Sequence, residues 1–258
     1  MLAKNKNKYL SFCDTEAMVA ESVAYLRRHE PEEGYYVGFS GGKDSIVVLD
    51  LCRRSGVQHQ AYYSCTRIDP PEVVRFIRQY YQDVIWLYPN MTFYNAIRKK
   101  SPPLRTVRWC CDTLKKEPGK EVGLRHRVMG IRAEESVRRA GRPRTDRIKK
   151  YGQTIYKPIF AWSEYHIWDY IDSHQLPYPS LYDEGFSRIG CVVCPFMMGK
   201  SPGMIHRRAE SMRRWPGIWQ AFEKAARDWF ESLPDDPQHR KDPTFQEYWV
   251  KYLKGFEA

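Results

Sequence analysis

Apolar residues in this chain recur at two spacings that alternate along it. From Thr15 to Arg28, Met18, Val19, Val23 and Leu26 return every three or four positions, which predicts a helix. The next apolar run, GYYVGF, is short, continuous and aromatic, the pattern of a strand buried on both faces. Helical spacing resumes from Asp44 to Arg54. GVQHQAYYS then reads as a second strand, and PPEVVRFIRQYY as a helix whose proline suits a first turn. DVIWLY is a third strand, residues near Arg108 to Lys116 are helical, HRVMGI is a fourth strand and QTIYKPI a fifth. Strands alternating with helices predict an α/β fold, a mainly parallel five-stranded sheet with helices on both faces. A main domain is expected over residues 1–177.

Two stretches break that rhythm. RRAGRPRTDRIKKYG, from Arg138 to Gly152, is basic and interrupted by glycine and proline, and reads as a mobile loop. After Tyr178 the chain runs through PSLYDEGFSRIGCVVCPFMMGKSPG, then regains helical spacing from Met204 to Trp229 and from Thr244 to Leu253. Residues 178–258 are therefore expected to form a helical C-terminal appendage. There is no internal repeat.

Charge narrows the partners. The 42 Lys and Arg exceed 31 Asp and Glu by 11, which favours a polyanionic or phosphorylated partner. The opening MLAKNKNKYLSFCD has no apolar stretch long enough for a signal peptide, and no later segment approaches bilayer length. A cytoplasmic protein with no membrane contact is the expectation. There the seven cysteines stay reduced, which favours metal ligation or redox chemistry over a disulfide framework.

The junction between the first strand and the helix after it holds Ser40, Gly41, Gly42, Lys43, Asp44 and Ser45. A strand feeding a helix through glycines aims backbone N–H groups and the positive end of the helix at one point, where a phosphate is stabilised. This is not a Walker A loop. That pattern needs four residues between its glycine and a Gly-Lys pair followed by Ser or Thr, whereas here Gly38 to Gly42 spans three and Asp44 follows Lys43.

A second constellation is made by cysteines. RWCCDTLKKEP places Cys110 and Cys111 side by side, and RIGCVVCPF places Cys191 and Cys194 as a C-x-x-C. Four thiolates suit an iron–sulfur cluster or zinc. Adjacent side chains diverge and reach one ion poorly, which favours [4Fe–4S]; a small zinc turn at Cys191 and Cys194, with Cys110 or Cys111 in the core, stays open. Lys115 and Lys116 could offset thiolate charge or simply be solvated. Cys52 follows an apolar helix and reads as core, while Cys13 and Cys65 have no assigned role.

The turn SGGKDS resembles the SGGxDS loop of the N-type ATP pyrophosphatases, in which the loop grips the pyrophosphate of ATP during attack at the α-phosphate. Ser40, Gly41, Gly42, Asp44 and Ser45 match that loop, and Lys43 sits at its variable position. The resemblance implies ATP as substrate and Asp44 as a carboxylate that helps organise Mg²⁺. The tandem cysteines followed by C-x-x-C, with TRIDPPEVVRFIRQYY, GIRAEES and SLYDEGFSRIGCVVCPF, are similar to adenylyl-sulfate reductases of the phosphoadenosine phosphosulfate (PAPS) reductase family over Tyr35 to Phe196. An adenine-nucleotide α-hydrolase-like, Rossmann-like fold follows from the resemblance. Sulfite-forming members carry a tail cysteine and tend to have a degenerate glycine loop; here the loop is complete and no cysteine follows Cys194. A complete loop with a cluster pattern instead resembles the ATP pyrophosphatase of bacterial DNA phosphorothioation systems. That resemblance implies DNA as acceptor, a cysteine desulfurase or other sulfur donor, and further phosphorothioation proteins as partners. Two other classes remain open, a sulfonucleotide reductase and a nucleotide- or nucleic-acid-binding module without turnover.

Arg132, in GIRAEES, follows the fourth strand and completes the catalytic candidates with Asp44 and Lys43, as a phosphate contact at the strand ends. Asp69 could approach the nucleotide or serve only its turn before Pro70. A DNA strand is expected across Arg138, Arg139, Arg142, Arg144, Arg147, Lys149 and Lys150, extended by Trp215 and Trp219 if these are exposed.

Overall fold

The computed structural model describes residues 14–236 and 238–256, with the Lys150 side chain excepted; Cys13 lies outside the described residues. The chain divides into two compact units. The first takes in residues up to Ser64, Pro71–Leu87 and Gly119–Ile189, and the second Cys65–Pro70, Tyr88–Pro118 and the residues from Gly190 onward.

The first unit is built on a sheet of β1 (Tyr35–Phe39), β2 (His59–Ser64), β3 (Ile85–Leu87), β4 (His126–Met129), β5 (Thr145–Ile148) and β6 (Gln153–Tyr156). The strand order is β3-β2-β1-β4-β6-β5, with every pair parallel except β5 on β6. β1 is buried along nearly its whole length, as a strand covered on both faces must be. The helix Lys43–Ser55 follows it and buries Ile46, Val47, Val48, Leu49, Leu51 and Cys52. Helices Thr15–Arg28 and Glu164–Ser173 pack against that helix. Sequence order reverses between β1 and β4, and the crevice at the carboxyl ends of strands at such a point is where open α/β sheets take their ligands.

Six strands stand where five were expected. The additional one, β5, lies in the stretch expected to be a mobile loop. Asp146 in β5 accepts from Arg142 and pairs with Lys157 at 3.5 Å, and Gly152, with φ 60°, closes the turn into β6. Short-range charge pairing and a left-handed glycine thus order a stretch whose composition reads as open loop.

In the second unit, helices Phe93–Lys100, Pro202–Arg214, Pro216–Glu231 and Phe245–Lys254 gather around Phe222. Phe222 is fully buried, with ring centroids 5.5 Å from Phe93, 5.2 Å from Trp249 and 5.8 Å from Tyr252. The single helix expected over Met204–Trp229 is broken at Trp215 (φ −129°, ψ 59°), because Pro216 drives the residue before it out of the helical region. Among the described residues no helix is long and apolar enough to cross a membrane. Phe222→Ala should destabilise the protein by about 3–5 kcal/mol, the usual cost of emptying an aromatic core position, measured by urea unfolding.

Candidate functional site

Ser40, Gly41 and Gly42 leave the carboxyl end of β1 and open the helix at Lys43. Gly41 has φ 71°, and a Cβ there would lie 2.9 Å from Val73, so both backbone and space require glycine. Gly42 is the N-cap and has no side chain to satisfy the first helical amides. The serines brace the turn. Ser45 Oγ accepts from the Ser40 N–H at 3.1 Å and donates to the Gly42 carbonyl at 2.8 Å. The Lys43 N–H, at the point where a phosphate oxygen would sit, donates to the Tyr182 hydroxyl at 3.0 Å.

Arg132 follows β4, the neighbour of β1, and is 5% exposed. Its Nε stands 2.5 Å from Asp44 Oδ1 and its Nη1 2.5 Å from Glu134 Oε2. Gly130 lets the two loops meet, since a Cβ there would come within 2.9 Å of the Asp44 backbone. Glu135 accepts from the Arg132 N–H and pairs with Arg139. Burial first, then the nearby Arg188 and Arg132 charges, push the Arg139 pKa down, with Asp44 opposing them. Arg132 and Arg139 are each paired with carboxylates, so their charges are largely balanced within the chain.

Lys43 is held differently from its neighbours in the motif. Its ammonium is buried, donates to the Ser187 carbonyl at 2.8 Å, pairs with Glu164 at 3.2 Å and lies 5.2 Å from the Tyr182 ring. It fastens Ser187 and Glu164 to the first helical turn. Of the arginines expected to hold a strand, Arg142 is paired with Asp146 and Arg144 with Glu21. Trp215 and Trp219 are buried, at 9% and 4% exposure, which withdraws them from stacking on a base.

The second unit brings the other candidates together. Cys110, Cys111, Cys191 and Cys194 line one cavity of about 30 Å³, with Arg108 and Lys115 in its wall. The helix Trp109–Cys111 widens directly into a π-helical turn, Asp112–Lys116, a distortion frequent at functional sites. A hydrogen bond with Cys110, then Lys115, Arg108 and Lys116, hold the Cys111 pKa down, while that of Cys110 is driven up. Burial pushes the Cys191 thiol up to about 11, against the pull of Lys115. Lys115 lines the same cavity, where Cys191 and then Asp69 push its pKa up. Asp69 accepts from Thr66 N–H at 3.1 Å and Thr66 Oγ1 at 2.8 Å, closing its own turn, with Cys191 Sγ 3.9 Å away. Among the described residues no three His, Cys, Asp or Glu side chains converge as ligands on one ion.

A phosphoadenosine phosphosulfate reductase domain matches residues 34–197. The chain belongs to the PAPS reductase family. An uncharacterised protein of Methanocaldococcus jannaschii is 34% identical over 208 residues, 76% of this chain and 42% of that protein. A second from the same organism is 28% identical over 75% of this chain and 49% of its own length, so the chain spans under half of either relative. An adenosine 5′-phosphosulfate reductase of Allochromatium vinosum is 38% identical over 172 residues, 59% of this chain and 64% of that enzyme. Among solved structures, the PAPS reductase of Candida auris superposes with a TM-score of 0.53 at 20% identity, covering 72% of this chain and 91% of that one. The FMN adenylyltransferase of Candida glabrata, with FMN and an ATP analogue, gives 0.53 at 14% identity over 72% of this chain and 70% of its own. These two likenesses show a shared fold.

Within this PAPS reductase domain, sequence reasoning missed Arg188, Tyr182 and Glu164 as parts of the turn's surroundings. Only the position of SLYDEGFSRIG inside a family segment pointed to Tyr182 and Arg188. Removing the hydroxyl that occupies the Lys43 N–H should free that amide: Tyr182→Phe is expected to bind inorganic pyrophosphate more tightly, by up to about tenfold, measured by calorimetric titration.

Proposed function

We propose that the chain is an ATP pyrophosphatase that adenylates an acceptor oxygen for replacement by sulfur. The observation that carries this reading is the complete Ser-Gly-Gly-x-Asp-Ser turn at the strand-order reversal, with Asp44 held by Arg132. The turn's amides and Arg132 grip the β- and γ-phosphates, so that the α-phosphorus faces the acceptor. An acceptor oxygen attacks that phosphorus, the bond to the bridging oxygen breaks, and pyrophosphate leaves with the electron pair. AMP stays on the acceptor until a sulfur nucleophile displaces it. Asp44 is the carboxylate that would hold Mg²⁺, and the ion would supply shielding of the charge on the departing pyrophosphate. The acceptor is a DNA backbone phosphate, and the sulfur comes from a partner such as a cysteine desulfurase working with other phosphorothioation proteins.

The donor chemistry of Cys110, Cys111, Cys191 and Cys194, four thiols with Lys115 and Arg108 beside them, supports a [4Fe–4S] cluster. Those cysteines would hold it, and it would supply electron transfer or sulfur handling. A second reading, sulfite formation, is favoured by relatives named adenosine 5′-phosphosulfate reductases; sulfite released from adenylyl sulfate in the presence of thioredoxin would establish it instead.

Wild-type protein should release pyrophosphate from ATP·Mg²⁺ when DNA is present. Asp44→Asn should lose about a hundredfold or more of that rate while its thermal midpoint stays close to wild type, because Glu134 still neutralises Arg132. Equal release by the variant removes Asp44 from the reaction. Anaerobic reconstitution should give about four irons per chain, lost in Cys191→Ser; stoichiometric zinc without iron overturns the cluster.

A further inference from the structure

At the end of the sheet opposite the glycine turn, where β4 and β6 begin, lies a cavity of about 530 Å³. Its wall includes Lys120, Arg125, Arg127, Tyr151 and Gln153. Arg127 is 5% exposed and sits 4.3 Å over the Tyr36 ring, which in turn stacks on Tyr62 at 4.5 Å. Its Nη2 donates to the Gly119 carbonyl at 2.5 Å. The Gln153 amide, turned so that its oxygen faces the guanidinium, accepts from Nε at 3.2 Å and from Nη2 at 2.9 Å.

Every one of these partners is neutral. The other buried cations of this unit each have a carboxylate: Lys43 has Glu164, Arg132 has Asp44 and Glu134, and Lys157 has Asp146. Among the described residues none pairs with Arg127, and none pairs with Arg125 or Lys120 beside it. Neutral acceptors and the Tyr36 face satisfy hydrogen bonds of Arg127 but leave its net charge, which an anion in the cavity would offset. Three cations facing one space favour a group bearing more than one negative charge, and a guanidinium suits the spacing of phosphoryl oxygens.

We propose that this cavity is a second phosphoryl-binding site, distinct from the glycine turn. The shared chemistry is a phosphate or pyrophosphate group, borne by a free small molecule or by a nucleic-acid strand.

The test uses the full chain with the glycine turn saturated by the α,β-methylene analogue of ATP and Mg²⁺. Inorganic pyrophosphate is titrated by calorimetry, and a fluorescein-labelled twelve-nucleotide oligothymidylate by anisotropy across a range of salt. Lys120→Ala/Arg125→Ala removes exposed side chains only, so folding is spared; Arg127→Gln, which disturbs the contact with Tyr36, is a companion. The double variant should bind pyrophosphate at least tenfold more weakly, with unchanged affinity for the ATP analogue. If oligothymidylate affinity falls too and its log–log salt slope flattens by about 0.7 per lost phosphate contact, the group belongs to a strand. A loss confined to pyrophosphate assigns it to a free ligand. Unchanged affinity for both probes overturns the proposal. Because the readout is binding at a site apart from the turn, it stands or fails separately from pyrophosphate release.

Discussion

The ion pair between Arg132 and Asp44 is the contact that joins the two loops of the crevice beside the glycine turn. β1 and β4 are adjacent parallel strands, and their carboxyl ends release two loops side by side. The Arg132 guanidinium, sunk beneath Glu134 and Asp44, makes one unit of the glycine turn and the GIRAEES loop. Because Gly130 has no side chain, the backbones of the two loops touch, and the pair forms at hydrogen-bond distance. Salt bridges with little exposure count for more in fixing geometry than in net stability, since desolvating both charges offsets much of their attraction.

Lys43 extends the same logic in another direction. A lysine placed at the first helical position of a phosphate turn invites the reading that it meets phosphate. Its ammonium instead binds Ser187 and Glu164, drawing the segment that holds Tyr182 across the start of the helix. The turn is thus bordered by three elements that are far apart in sequence, and its neighbouring arginines come from other segments, Arg132 from GIRAEES and Arg188 from SLYDEGFSRIG.

The alternation of strand and helix was legible because it rests on hydrophobic period, which depends on each residue's immediate neighbours. Thr15–Arg28 and the strand and helix flanking the turn lie where the pattern puts them. β5 was not legible: three of its four residues are polar, and its stability comes from β6 and from the Arg142–Asp146 pair, which composition cannot announce. The break before Pro216 carried a local signal that periodicity alone overrides. In the site, the motif located Ser40 to Ser45 and Arg132, whereas Tyr182, Glu164 and Arg188 enter through tertiary contacts. Lys115 shows the same limit, since only the fold decides whether a helical lysine meets solvent or a thiol.

The π-helical turn after the tandem cysteines has a consequence for how this helix tolerates change in length. Such a turn holds one residue more than an α-helical turn would, so Asp112–Lys116 behaves as an insertion absorbed within a helix. Deleting one residue there would restore regular winding and leave Cys110 and Cys111 facing nearly as before, whereas deleting one from a regular turn, where nothing absorbs the change, would swing them by about 100° relative to the helix that follows. The thiols would then face away from Cys191 and Cys194 although every cysteine was still present. Spacing in this segment is therefore constrained by rotation as well as by distance, and a search for related chains that counts only residues between cysteines would overlook that constraint.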